Sequence, residues 1–212
     1  ETGRIGSISD SARVDIYLPK KCNGQMVVIC PGGGYRYVSA LKEGLHAAEW
    51  MTSRGIAVAV VKYRMPNGHW EVPLTDVHNV FRYCRAHASE WGVNQIGVMG
   101  FSAGGHLAAC ASTLYVDAVT RPDFSILMYA VVSLDKKYTH QGTRNNLLGN
   151  DEIWENRDRK VDEYMEAQKL HQDLLEQYSL QNHVTSDTPV TFLAHCTDDA
   201  TVPVEHSIMY YS

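Results

Sequence analysis

Short, uninterrupted apolar runs separated by longer mixed stretches constrain this chain more than any other feature. Gln25 to Cys30, Ile56 to Tyr63, Gln95 to Met99, Phe124 to Val132 and Val190 to Ala194 each lack a polar face. Strands of that kind must be covered on both sides, as in a parallel sheet. Glu43 to Arg54 and Pro73 to Trp91 read as helices between them, and Arg13 to Leu18 as a further strand. The expected class is therefore α/β, a mostly parallel central sheet with helices on both faces and its functional loops at the strand carboxyl ends. With 212 residues, 44% of them hydrophobic and 20% charged, the chain can bury one sizeable core, so a single domain over 1–212 is expected.

At one strand-to-helix handover stands Gly100-Phe101-Ser102-Ala103-Gly104-Gly105-His106, preceded by the apolar Gln95 to Met99 and followed by the alanine-rich Leu107 to Ala111. A serine on such a turn is forced into a strained conformation with its Oγ exposed, which requires neighbours as small as Gly100 and Gly104. The new helix also aims unpaired N–H groups at the space beside Ser102. Ser102 is thus the candidate nucleophile. The bland alternative is a glycine-containing turn with an incidental serine.

The run Gln25 to Cys30 ends directly in Pro31-Gly32-Gly33-Gly34-Tyr35, a backbone that some group must approach closely. Beside a nucleophilic serine that group is the oxyanion of a tetrahedral intermediate, held by the amides of Gly33, Gly34 and Ala103. A phosphate-cradling loop would need a following Gly-Lys-Ser/Thr, which is missing. Near the end, Val190 to Ala194 runs into His195-Cys196-Thr197-Asp198-Asp199-Ala200-Thr201-Val202-Pro203. Asp199, in a D-x-x-V-P context after the serine in chain order, is the candidate acid and Asp198 the lesser choice. Either aspartate could instead cap the helix starting near Val204.

Together with Val14-Asp15-Ile16-Tyr17-Leu18-Pro19 and Val61-Lys62-Tyr63-Arg64, these motifs resemble the α/β-hydrolase fold of the esterase/lipase superfamily. The likeness is to bacterial acetyl-xylan-esterase-like and carboxylesterase-like members and covers nearly the whole chain. It implies an acyl-enzyme mechanism that needs no cofactor. It also implies a general-base histidine on a loop after one more strand, so that a C-terminal strand and helix, and the base itself, are expected beyond residue 212. Only His206 follows Asp199, inside an expected helix Val204 to Tyr211 where the resemblance does not place the base.

The formal net charge of −5 gives no broad basic field, so neither nucleic acid nor an anionic membrane is an expected partner. No apolar run is long enough to span a bilayer. The five cysteines have neither disulfide nor metal-ligand spacing, and no metal is expected. Free thiols favour the cytoplasm while a glycan-acting esterase favours export, and a chain opening on Glu1 is compatible with a removed leader, so the compartment stays open, as does the oligomeric state. His106 is expected to pack behind the nucleophile turn and His195 to orient the acid loop.

Residues 135–188, rich in charge, Asn and Gln, are expected to be a cap or insertion carrying an amphipathic helix (Val161, Tyr164, Met165, Leu170, Leu174, Leu175, Tyr178) that packs on the sheet. Tyr35, directly after the glycines, is the expected substrate contact, with Trp70 near the site's edge. The expected reaction is hydrolysis of short-chain, above all acetyl, esters, with a small ester or an acetylated carbohydrate such as xylan as partner. A serine exopeptidase of the same fold and a non-catalytic binding protein remain the alternatives.

Overall fold

A computed structural model describes residues 11–212. Its six strands are β1 (Arg13–Tyr17), β2 (Gln25–Cys30), β3 (Ala57–Lys62), β4 (Gln95–Phe101), β5 (Phe124–Met128) and β6 (Val190–Ala194). They form one sheet in the order β1-β3-β2-β4-β5-β6. All pairings are parallel except β1 with β3. From β2 the chain steps to β3 on one side and then returns to β4 on the other. That reversal opens a crevice at the carboxyl ends of β2 and β4, where α/β sheets bind ligands.

Alternate residues of each strand enter opposite layers. Met26, Val28, Ala57, Ala59, Ile96 and Val98 join a core packed by helices α2 (Val72–His87) and α3 (Ala103–Thr113). Val27, Ile29, Val58 and Val60 face the other way, onto Ala48 and Met51 of α1 (His46–Thr52). Further along this second face Phe124 and Ile126 are only partly buried. Their register partners on the edge strand, Val190 and Phe192, remain 78% and 62% exposed.

Two elements depart from the sequence expectation. The apolar run from Phe124 stops being a strand at Met128, because Tyr129 turns to φ 38°. The next residues leave the ladder: Val131 N–H bonds Ser102 O, and Leu180 N–H bonds Val132 O. The helix expected from Glu43 begins earlier, as a π-helical turn at Ala40–Leu45, before α1 continues it.

Residues 135–188 hold α4 (Gln141–Leu148), α5 (Asp151–Trp154), α6 (Val161–Gln177) and a 3₁₀ turn (Leu180–His183). Helix α6 buries Leu174, and Tyr178 just beyond it, while Val161 and Met165 stay exposed. It packs chiefly on α5 and the 3₁₀ turn, not on the sheet as its apolar spacing led us to expect. The join is polar. The Arg144 guanidinium, 1% exposed, donates to Asp151 at 3.0 Å and to His171 Nε2 at 3.2 Å, and the His171 ring stacks on Trp154 at 4.7 Å. Burial, then the Arg144 charge, holds His171 below its ordinary pKa, which keeps it a neutral acceptor.

Candidate active site

Ser102 joins β4 to α3 with φ 52° and ψ −120°, the strained turn its neighbours predict. The glycines are sterically required. A Cβ on Gly100 would strike the carbonyl of Gly104, and one on Gly104 would strike the carbonyls of Cys30 and Pro31, where α3 starts against the end of β2. Replacing Gly100 with alanine is expected to destabilise the protein by about 1–3 kcal/mol, because backbone cannot yield as a side chain would. Thermal melting would register this as a drop of roughly 2–12 °C for a domain of this size; an unchanged midpoint would contradict the packing.

The glycine loop lies against this turn. A Cβ on Gly32 would sit 3.3 Å from Ser102 Cβ. Gly33 has φ 131°, and its Cβ would collide with the Tyr37 carbonyl, whereas Gly34 at φ 64° has open space up to His140 Cε1 at 3.9 Å. Among the described residues none accepts a hydrogen bond from the N–H of Gly33, Gly34 or Ala103. Amides without an acceptor are free to bind an anionic group.

Ser102, Gly33, Gly34 and Asp199 line one open cavity of about 540 Å³. Asp199 Oδ1 accepts from Thr201 N–H at 2.8 Å and Val202 N–H at 2.9 Å. The Val202 N–H is the main cause that holds this carboxyl below its ordinary pKa; Thr201 and His195 add to it and partial desolvation opposes. Asp198 is exposed and does not line the cavity.

The histidines near Asp199 are engaged elsewhere. His195 Nε2 donates to Val202 O at 2.8 Å, Nδ1 faces Ser207 Oγ at 2.8 Å, and Asp199 Oδ2 lies 3.8 Å away, beyond hydrogen-bond range. His206 is fully buried: Nδ1 accepts from the N–H groups of Val132 and Ser133, and Nε2 donates to Tyr138 O. Burial is the main reason its pKa falls, which keeps it neutral. No described residue hydrogen-bonds Ser102 Oγ.

Tyr35, expected to touch substrate, must be corrected. It is 3% exposed, its hydroxyl meets His106 Nδ1 at 2.9 Å, and it does not line the cavity. Its φ of 55° turns the side chain back under the sheet end, where it packs edge-on against Tyr63. His106 lies behind the nucleophile turn as expected, donating from Nε2 to Tyr178 O, with burial pushing its pKa down to about 4. Trp70 packs on the core and is also absent from the lining.

The cavity wall is completed by residues the sequence did not single out, including Arg36, Tyr37, Glu43, Tyr129, His140 and Asn146. Arg36 and Tyr37 directly follow the glycine loop, and that adjacency was a usable signal. Asn146, on α4, donates to Gly34 O at 2.7 Å, so residues 135–188 brace the loop directly. Nothing local marks Glu43 or Tyr129. Burial, then the charge and hydrogen bond of Glu43 and the charge of Asp199, push the Tyr129 phenol upward, so it stays protonated.

A family model described as BD-FAE matches residues 14–212. An acetylxylan esterase of Xylanibacter ruminicola is 39% identical over 97% of this chain and 41% of that protein. An endo-1,4-beta-xylanase B of Butyrivibrio fibrisolvens is 28% identical over 87% of this chain and 28% of that protein. The chain thus spans less than half the length of either relative. A crystal structure of an acetyl ester-xyloside bifunctional hydrolase from Caldicellulosiruptor lactoaceticus superposes with a TM-score of 0.79 at 31% identity, covering 96% of this chain and 72% of that one.

Proposed function

The chain belongs to the BD-FAE family and has the α/β-hydrolase fold, and from that premise we propose that it is a serine carboxylic-ester hydrolase acting on acetyl esters of a carbohydrate such as xylan. The observation that carries this reading is the strained Ser102 at the sheet's crevice, lining one cavity with Gly33 and Gly34, whose amides, like that of the adjoining Ala103, have no acceptor among the described residues.

Ser102 Oγ attacks the ester carbonyl carbon while a histidine takes its proton. The carbonyl oxygen becomes an oxyanion held by the three amides. As the intermediate collapses, the bond to the alcohol oxygen breaks and the histidine returns the proton to that oxygen. Water then attacks the acyl-Ser102 by the same route and releases the acid. Asp199 is the carboxylate that orients the histidine. We place that histidine outside these 212 residues, because His195 and His206 have both ring nitrogens engaged by other groups. His140 lines the cavity, but its Nδ1 accepts from Thr143 N–H and no described carboxylate bonds it.

Short acyl groups suit the cavity. Its lining is mostly glycine, polar or charged residues, with Val202 and the rings of Tyr37 and Tyr129 as its apolar side chains, so a long alkyl chain finds few aliphatic contacts. The relatives named for acetylxylan and xylan favour the carbohydrate. Acetate release from acetylated xylan, and hydrolysis of p-nitrophenyl acetate faster than of the decanoate, are the expected results. Preference for the long chain, or peptidase activity without esterase activity, would overturn the reading, and no turnover by the natural full-length protein would favour a binding role. Activity of the 212-residue chain that vanishes in His140→Ala or His206→Ala would relocate the base.

A further inference from the structure

Acyl transfer leaves one carboxylate beside the nucleophile without a task. Glu43 lies on the π-helical turn Ala40–Leu45, and both its oxygens are engaged. Oε2 accepts from Gly32 N–H at 2.6 Å, and Oε1 accepts from the Tyr129 hydroxyl at 3.1 Å. The point where a Gly32 Cβ would sit is 2.9 Å from Glu43 Oε2 and 3.3 Å from Ser102 Cβ, so carboxylate and nucleophile flank the same spot. A negative charge there opposes the developing oxyanion, and the serine–histidine–aspartate chemistry does not use it.

Its effect on Tyr129 is specific. Because the phenol donates its proton to Glu43, the lone pairs of the Tyr129 oxygen are left for the cavity that this side chain lines. The backbone is bent to achieve this. Tyr129 has φ 38°, a region that a tyrosine rarely adopts, and is pinned by its N–H to Ala194 O at 2.7 Å. Glu43, Tyr129 and Asp199 bring hydrogen-bond acceptors to this wall, and Arg36 in the same lining offsets part of their negative charge. Its complement is a neutral donor, and a hydroxyl is the neutral donor that an ester's alcohol portion can carry.

We propose that the Glu43–Tyr129 pair is a specificity-determining element: the Tyr129 oxygen accepts a hydrogen bond from a free hydroxyl next to the ester on the alcohol moiety, so that partially acylated polyols are preferred over esters of simple alcohols. The proposal rests on the esterase reading and deepens it. Glu43 is the positioning residue, since it fixes which way the phenolic proton points.

The test uses two esters that differ by one hydroxyl, trans-cyclohexane-1,2-diol monoacetate and cyclohexyl acetate. The wild-type kcat/KM ratio should favour the diol ester, and Tyr129→Phe should lower that ratio about 10-fold, the value of one hydrogen bond. Glu43→Gln, with the phenol intact, should instead remove the wild-type preference for the diol monoacetate over its methyl ether, trans-2-methoxycyclohexyl acetate, which can only accept. The variant's amide oxygen must serve Gly32 N–H, so its NH₂ donates to the Tyr129 oxygen and turns the phenolic proton outward. A structural loss would depress both esters equally and leave the ratio unmoved, and that result overturns the proposal. Binding of xylotetraose, titrated by NMR, needs no turnover. Weaker binding by about 10-fold in Tyr129→Phe, with neither acetate hydrolysed by the natural full-length protein, would sink the esterase reading and keep the hydroxyl site. Hydrolysis with an unchanged ratio and unchanged xylotetraose binding would do the reverse.

Discussion

Ser102→Ala is expected to lower kcat for p-nitrophenyl acetate roughly 10⁴- to 10⁶-fold in the natural full-length protein, the scale at which loss of the nucleophile leaves only binding and the oxyanion site. Stability should barely change. Alanine carries the same Cβ as serine into the φ 52° turn, and no described residue hydrogen-bonds the hydroxyl that is lost. A fluorophosphonate should label Ser102 in the wild type, located by mass spectrometry, and should fail to label the variant. An adduct on another serine that persists in Ser102→Ala would show that the nucleophile has been misassigned.

Gly33→Val should cost about 100- to 1,000-fold in kcat, as the loss of one oxyanion donor does, with a much smaller change in KM. A valine Cβ would collide with the Tyr37 carbonyl, and φ 131° is closed to a β-branched residue, so the loop must move and carry its amides out of line. Gly34→Ala separates this effect from general damage. Its Cβ has space and φ 64° lies in the left-handed region, where alanine pays only about 1–2 kcal/mol, so a loss well below that of Gly33→Val is expected. Near-normal kcat with a raised KM in Gly33→Val would mean that the loop holds substrate and does not stabilise charge.

Where apolar runs and glycines carried the information, the sequence was legible. The runs at Gln25–Cys30 and Val190–Ala194 are strands to the residue, and Ser102 stands on the turn that its flanking glycines predicted. Tyr35 misled because adjacency to the glycine loop does not reveal direction. At φ 55° the side chain points beneath the sheet, and Tyr37, two residues on, reaches the cavity. Helix α6 misled because helical spacing of apolar residues shows that a face exists, not what lies against it.

The sequence by itself determined the class of sheet, the strained serine and the loop of free amides, because each follows from rules acting within a few residues: burial of strands without a polar face, and collisions that only glycine avoids. Only the tertiary structure decided what surrounds them. Glu43 meets Tyr129 across 86 positions, Asn146 reaches Gly34 across 112, and His206 is spent on the backbone of Val132 and Ser133 some 74 positions away. The reason is physical. A hydrogen bond between a side chain and a residue distant in sequence leaves no periodicity or spacing in the chain, and it exists only once the sheet order has set which strand ends are neighbours.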